Sequence, residues 1–100
     1  MGNSRRYRNC VGPQIRRMRV SQRLSQEELS VKLQLAGLGL DRTSVVKIEA
    51  GLRSVFDYEL AVIAQQLKTT TDLLYPSWSD LQGALPDLLK GEKLVRTRKV

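Results

Sequence analysis

Arg42, Thr43, Val46 and Lys47 fall within one short stretch, at spacings that a helix brings onto a single face. Together they offer a guanidinium fork, a hydroxyl with a methyl beside it, an isopropyl group and an ammonium, with no acid among them. Such a set suits a polyanion whose edges carry acceptors and methyl groups; the alternative is an ordinary solvated helix face, and the motif around it decides between them. An arginine can donate two hydrogen bonds to guanine O6 and N7, a threonine one to a base, and a valine can rest on a thymine methyl. Ser44 adds a hydroxyl for a phosphate or for the backbone. Gln26 opens a second helical stretch, where a side-chain amide beside free backbone amides at a positive helix end suits a phosphate oxygen. Val45 and Ile48, on the other face of the first stretch, are apolar and must meet a core.

Other chemistry is largely excluded. Histidine is absent from the 100 residues, which removes imidazole bases and imidazole metal ligands. The single cysteine, Cys10, allows neither an internal disulfide nor a thiolate cage, and reads as an incidental thiol of a reducing compartment. Gly37-Leu38-Gly39 lacks the third glycine and the strand-helix setting of a phosphate-cradling fingerprint. No catalytic residue, metal site or cofactor is expected, and the chain does not read as an enzyme. No apolar run approaches a signal sequence or a membrane span, so the expectation is a cytoplasmic protein with no membrane partner.

Charge is unevenly placed. The net charge is +7, yet residues 1–23 carry Arg5, Arg6, Arg8, Arg16, Arg17, Arg19 and Arg23 with no acid. The segment 24–75 is close to balanced and slightly acidic, and the tail is basic again through Lys90, Lys93, Arg96, Arg98 and Lys99. A near-neutral middle with a cationic lead is the electrostatic footprint of a polyanion binder. Arg16 and Arg17 would add diffuse backbone contacts, and Arg5, Arg6 and Arg8 would enter a minor groove. The alternative is that basic ends serve solubility alone.

Helices must position these residues, because no segment alternates like a strand. Residues 1–11 read as a basic arm. Gly12-Pro13 marks the start of a helix over 13–23, with Ile15 and Met18 on one face. Ser25-Gln26-Glu27-Glu28 has the form of a capping box, and Leu29 and Leu33 continue the apolar stripe behind it. Gly37 and Gly39 break that helix. Asp41 caps the next, from 42 to about 50, and Gly51 ends it. Asp57 is expected to cap a fourth helix bearing Leu60, Ile63, Ala64 and Leu67, and Thr70 a short fifth with Leu73 and Leu74. The expected core holds Leu24, Leu29, Leu33, Val45, Ile48, Leu60, Ile63 and Leu67. Residues 77–100 form a C-terminal extension. Its stripe of Leu81, Leu85, Leu88 and Leu89 is interrupted by Gly83 and Pro86, leaving a loose amphipathic helix or an irregular segment open.

The segment from Ile15 to Leu74 resembles the Cro/C1-type, or Xre-like, helix-turn-helix family. The matching residues are IRRMR, LSQEEL, RTSVVKIEAG, ELAVIAQQL and TTTDLL. The resemblance implies an all-α, five-helix, lambda-repressor-like helix-turn-helix domain over 12–76. It also implies phosphate contacts from the start of the second helix, Gln26 included, and base contacts from the front of the third. Arg53, in the loop after the third helix, becomes a phosphate clamp, and Glu49 a structural partner of Arg19. Two features depart from the family pattern. Residues 34–40 make the connection between the second and third helices longer than the usual tight turn, and Ala50 stands where the family often has a phosphate-binding asparagine.

The resulting expectation is a sequence-specific regulator of transcription, most simply a repressor, with double-stranded DNA as its partner. One recognition helix covers few base pairs, so a homodimer is expected. Trp78, Leu81, Leu85, Leu88 and Leu89 would supply its contacts or pack back on the domain. The alternative function is an antitoxin or adaptor whose main partner is a protein, with the 34–40 turn and the tail as its interface.

Overall fold

Helix starts in this chain are set by side-chain acceptors, and helix ends by single residues in the left-handed region. The computed structural model describes the backbone of residues 7–96 and the side chains of 7–91, so Arg5 and Arg6 lie outside the described residues. Its elements are α1 (Gly12–Ser21), α2 (Gln26–Leu35), α3 (Arg42–Glu49), α4 (Asp57–Gln66), a 3₁₀ turn (Thr71–Leu74) and α5 (Trp78–Arg96).

Two starts follow the sequence closely. The Glu28 amide donates to Ser25 Oγ at 2.9 Å while the Ser25 amide donates to Glu28 Oε1 at 2.8 Å, closing the capping box. The Ser44 amide donates to Asp41 Oδ1 at 2.8 Å at the head of α3. These bonds hold both carboxyls below their usual range, Glu28 through Ser25 and Asp41 through Ser44. Asp57, by contrast, is the first residue of α4 and not its cap. Its carboxylate accepts from the adjacent Tyr58 amide, and Glu59 reaches back to the Phe56 amide instead.

Four helices end alike. Arg23, Gly37, Gly51 and Lys68 take φ of 59, 96, 78 and 58°. The following amides of Leu24, Leu38, Leu52 and Thr69 return to the carbonyls of Arg19, Leu33, Lys47 and Ala64. This is the Schellman pattern, which satisfies the last carbonyls of each helix. Glycine at two of these positions avoids a Cβ penalty of about 1–2 kcal/mol.

Around one aliphatic core, α3 packs against α1 and α2, α4 against α2, and the 3₁₀ turn closes over α1 and α4. Ile15, Leu29, Leu33, Ile48, Ile63, Leu67 and Leu74 are essentially inaccessible. Leu24 is only partly buried and lies against the core's edge. The long connection between α2 and α3 does not extend α2. It is stapled to the core by buried Leu40 and half-buried Leu38, and the Gln34 amide donates to the Leu40 carbonyl at 3.3 Å.

Two further expectations need correction, and one open alternative is decided. Residues 7–11, read as part of the arm, are built into the domain. The Arg8 amide donates to the Gly51 carbonyl at 2.8 Å, and Val11 belongs to the core. The short fifth helix at 70 is a 3₁₀ turn without a side-chain cap from Thr70, anchored by Leu74. Of the two alternatives left open for the extension, the helix is the one found: α5 has 19 residues, Trp78–Arg96, and runs through Gly83 and Pro86. Pro86 and Gln82 both face solvent, where the Gln82 carbonyl left without an amide donor can be hydrated.

Candidate nucleic-acid interface

The two faces of α3 differ completely in environment. Val45, Ile48 and Glu49 are buried, whereas Arg42, Thr43, Val46 and Lys47 are exposed, Val46 at 39%. Neither Arg42 nor Lys47 has a hydrogen-bond or ion-pair partner among the described residues. Ser44 is half-buried at the front of the helix, its amide taken by Asp41.

The orientation of this face is fixed from behind. Arg19 Nε donates to Glu49 Oε2 at 2.7 Å and Arg19 Nη2 to Glu49 Oε1 at 2.9 Å. The remaining nitrogen, Nη1, donates to the Leu24 carbonyl at 2.7 Å. Gln26 Nε2 completes the carboxylate from the head of α2, donating to Glu49 Oε1 at 3.0 Å. Arg19 and Glu49 are 8% and 7% exposed, so the charges are buried together and every polar atom is satisfied. The hydrogen bonds to Glu49 raise the Arg19 pKa above its usual value. One cluster thus ties α1, the head of α2 and the tail of α3.

A second brace lies at the junction of α1 and α3. Asn9 Nδ2 donates to the carbonyls of Ile48 and Arg53 at 3.0 and 2.8 Å. Its Oδ1 accepts from the amides of Val11 and Gly12 at 3.1 and 2.8 Å, holding the chain just ahead of α1. A Cβ at position 12 would collide with the Ile48 carbonyl, so the close approach of α1 to α3 requires glycine there. Sequence reasoning missed Asn9; its only local signal is an asparagine, able to bond the amides two and three residues on, just ahead of a helical Gly-Pro.

The remaining candidates lie on α1 and in the loop after α3. Arg16 and Arg17 are exposed on α1. Arg53 turns toward α4, where its Nη1 and Nη2 donate to Glu59 Oε1 and Oε2 at 2.9 and 3.1 Å. These bonds, together with that from the Phe56 amide, hold the Glu59 carboxyl below its usual range. The Glu59 partnership was also missed. Its signal is the backward reach of a glutamate at the third position of α4, which places a carboxylate over the loop that carries Arg53.

No family model matches the sequence, and no curated protein does. Solved structures do. The restriction-modification controller protein C.AhdI from Aeromonas hydrophila is 31% identical, with 65% of this chain and 87% of that one covered and a TM-score of 0.57. The DNA-binding domain of BldD is 28% identical over 75% of this chain and all of its own (100%), at TM-score 0.59. The chain belongs to the Cro/C1-type helix-turn-helix family. A hypothetical transcription factor, NHTF from Neisseria, is 26% identical over 82% of this chain and 90% of its own, at TM-score 0.59.

Within this family, α2 and α3 are the helix-turn-helix pair, and the all-helical architecture is the one its members share. Ala50 caps the end of α3 and offers no polar side chain at the family's asparagine position. Among the described residues no helix is long and apolar enough to cross a membrane, and no group of acids and cysteine could hold a metal ion.

Proposed function

We propose that the protein is a sequence-specific DNA-binding regulator of transcription, acting as a repressor that occludes a promoter with α3 in the major groove. The observation that carries this reading is the free, acid-less outer face of α3, held at a fixed angle by the buried Arg19–Glu49–Gln26 cluster. The similarity to C.AhdI, a restriction-modification controller, and to the DNA-binding domain of BldD supports it.

Arg42 reads guanine through its fork, Thr43 and Val46 meet base edges and thymine methyls, Lys47 serves a base or a phosphate, and Ser44 a phosphate or the backbone. Gln26 spends one amide hydrogen on Glu49 and keeps the other for a phosphate. Arg16 and Arg17 add diffuse attraction. Arg53 is the weakest of the candidates, since Glu59 already neutralises its guanidinium.

A two-fold dimer places two α3 helices in successive major grooves, roughly 34 Å apart. The outer face of α5 offers the contact surface: Trp78, Leu85 and Leu89 are 68%, 38% and 52% exposed at helical spacing, while Leu81 and Leu88 are half-buried on the inner side. A protein partner is the second reading, favoured by exposed Leu52 and by the exposed rings of Phe56 and Tyr58, stacked 5.6 Å apart. A stoichiometric partner retained through purification, with no DNA preference, would favour it.

Selection from random duplexes with the purified protein tests the leading reading. Enrichment of a two-fold motif is expected, with half-sites about one turn apart. Salt-sensitive retention of DNA without any motif would contradict it.

A further inference from the structure

A cleft of about 490 Å³ opens between the segment leading into α1, the tail of α3 and the first turns of α5. That volume lies within the range that holds small organic molecules. Tyr7, Cys10, Pro13, Pro76 and Ala84 give it mostly apolar walls, and Ala50 and Gly51 form its end against α3. Burial there raises the Cys10 thiol pKa, as expected of a surface poor in water.

Three charged groups line it. Glu49 is saturated by Arg19 and Gln26. Arg17, from the α1 wall, and Asp80, from the α5 wall, have no side-chain partner among the described residues. Arg17 and Asp80 both stand exposed at the rim, one cation and one anion, so only a molecule that carries both charges can give each of them a counter-charge. The cleft fits a molecule that carries both charges and an apolar body.

We propose that this cleft binds a small zwitterion of the hydrophobic α-amino-acid class, its carboxylate on Arg17 and its ammonium on Asp80. The ligand body fills the space between α5 and the Ala50–Gly51 end of α3. Since α5 also backs onto the Tyr7 carbonyl through Gly91, occupancy fastens α5 to the support of the reading helix. That coupling to DNA rests on the proposed function; the binding itself does not.

The test is an amide-resolved NMR titration of the full chain with leucine, methionine, phenylalanine and tryptophan, and with phenethylamine and 3-phenylpropionate as single-charge analogues. Saturable shifts at Cys10, Gln14 and Ala84 are expected from at least one amino acid, with both analogues about tenfold weaker. Asp80→Asn should weaken the amino acid, and Ala84→Trp, which fills the cleft, should abolish the shifts while circular dichroism shows the helices intact. Absence of saturable shifts with all four amino acids would overturn the proposal, as would analogues that bind equally well or binding that survives both substitutions. Operator binding measured on the ligand-free protein fails or succeeds separately, so loss of the cleft leaves the regulator reading standing.

Discussion

Arg19 and Arg42 are the same residue type, both lie on helices of the domain, and they do opposite work. Arg19 is buried with every nitrogen engaged, and its charge is cancelled where it stands by Glu49. Arg42 stands exposed with no partner among the described residues, on the helix whose other end Glu49 secures. A free charge on an exposed face can recognise a ligand only if its backbone is held still. The buried pair does the holding, and so its value to function is one of geometry and not of contact. Arg53 falls on Arg19's side of this division, since Glu59 takes its fork.

The contrast can be broken most severely from beneath. Glu49→Ala leaves the Arg19 guanidinium buried and unpaired, which should cost about 3–5 kcal/mol of folding stability in urea denaturation. An unchanged midpoint would mean that the cluster does not support α3. Gly51→Ala should cost less, about 1–2 kcal/mol, because φ is +78° and a Cβ there would sit 2.7 Å from the Tyr7 ring. The same denaturation experiment reads it.

The Arg53–Glu59 pair adds a pH signature. Hydrogen bonds hold the folded Glu59 carboxyl below its unfolded value of about 4.3. Its contribution is therefore complete at neutral pH and fades as pH falls through the lowered folded value. Glu59→Gln should flatten the acid limb of Tm against pH, whereas a limb of unaltered slope would assign acid sensitivity elsewhere. The smallest stability effect is expected on the outer face: Arg42→Ala, Thr43→Ala and Lys47→Ala should each shift stability by less than about 0.5 kcal/mol. A larger loss would show that these side chains belong to the fold.

Much of this was legible in the sequence because it rests on local chemistry. Ser25 with Glu28, Asp41 with Ser44, and glycine at 37 and 51 act over three or four residues, and a short window contains them. The apolar spacing of Leu29, Leu33, Val45 and Ile48 likewise fixes which face of each helix is inward. Asn9 lies 39 residues from Ile48 and 44 from Arg53, so no local pattern reveals what its amide joins. The commitment of Arg53 was hidden because a basic loop residue looks the same whether a phosphate or Glu59 is its partner. Residues 7–11 looked like an arm because their arginine and tyrosine are polar by type, although the Arg8 amide and the Tyr7 ring lie against Gly51 and Val11 enters the core. In α5, Gly83 and Pro86 argue against a helix by propensity, and only their solvent-facing position removes the objection.

The most direct measurement compares wild type and Arg42→Ala on the duplex that selection enriches, and on variants of that duplex changed at one base pair at a time. At a single guanine in each half-site, Arg42→Ala should lose about 1–3 kcal/mol of discrimination while Tm and the remaining preferences hold. Equal discrimination at every position by the two proteins would contradict the assignment of α3's outer face as the reader of sequence.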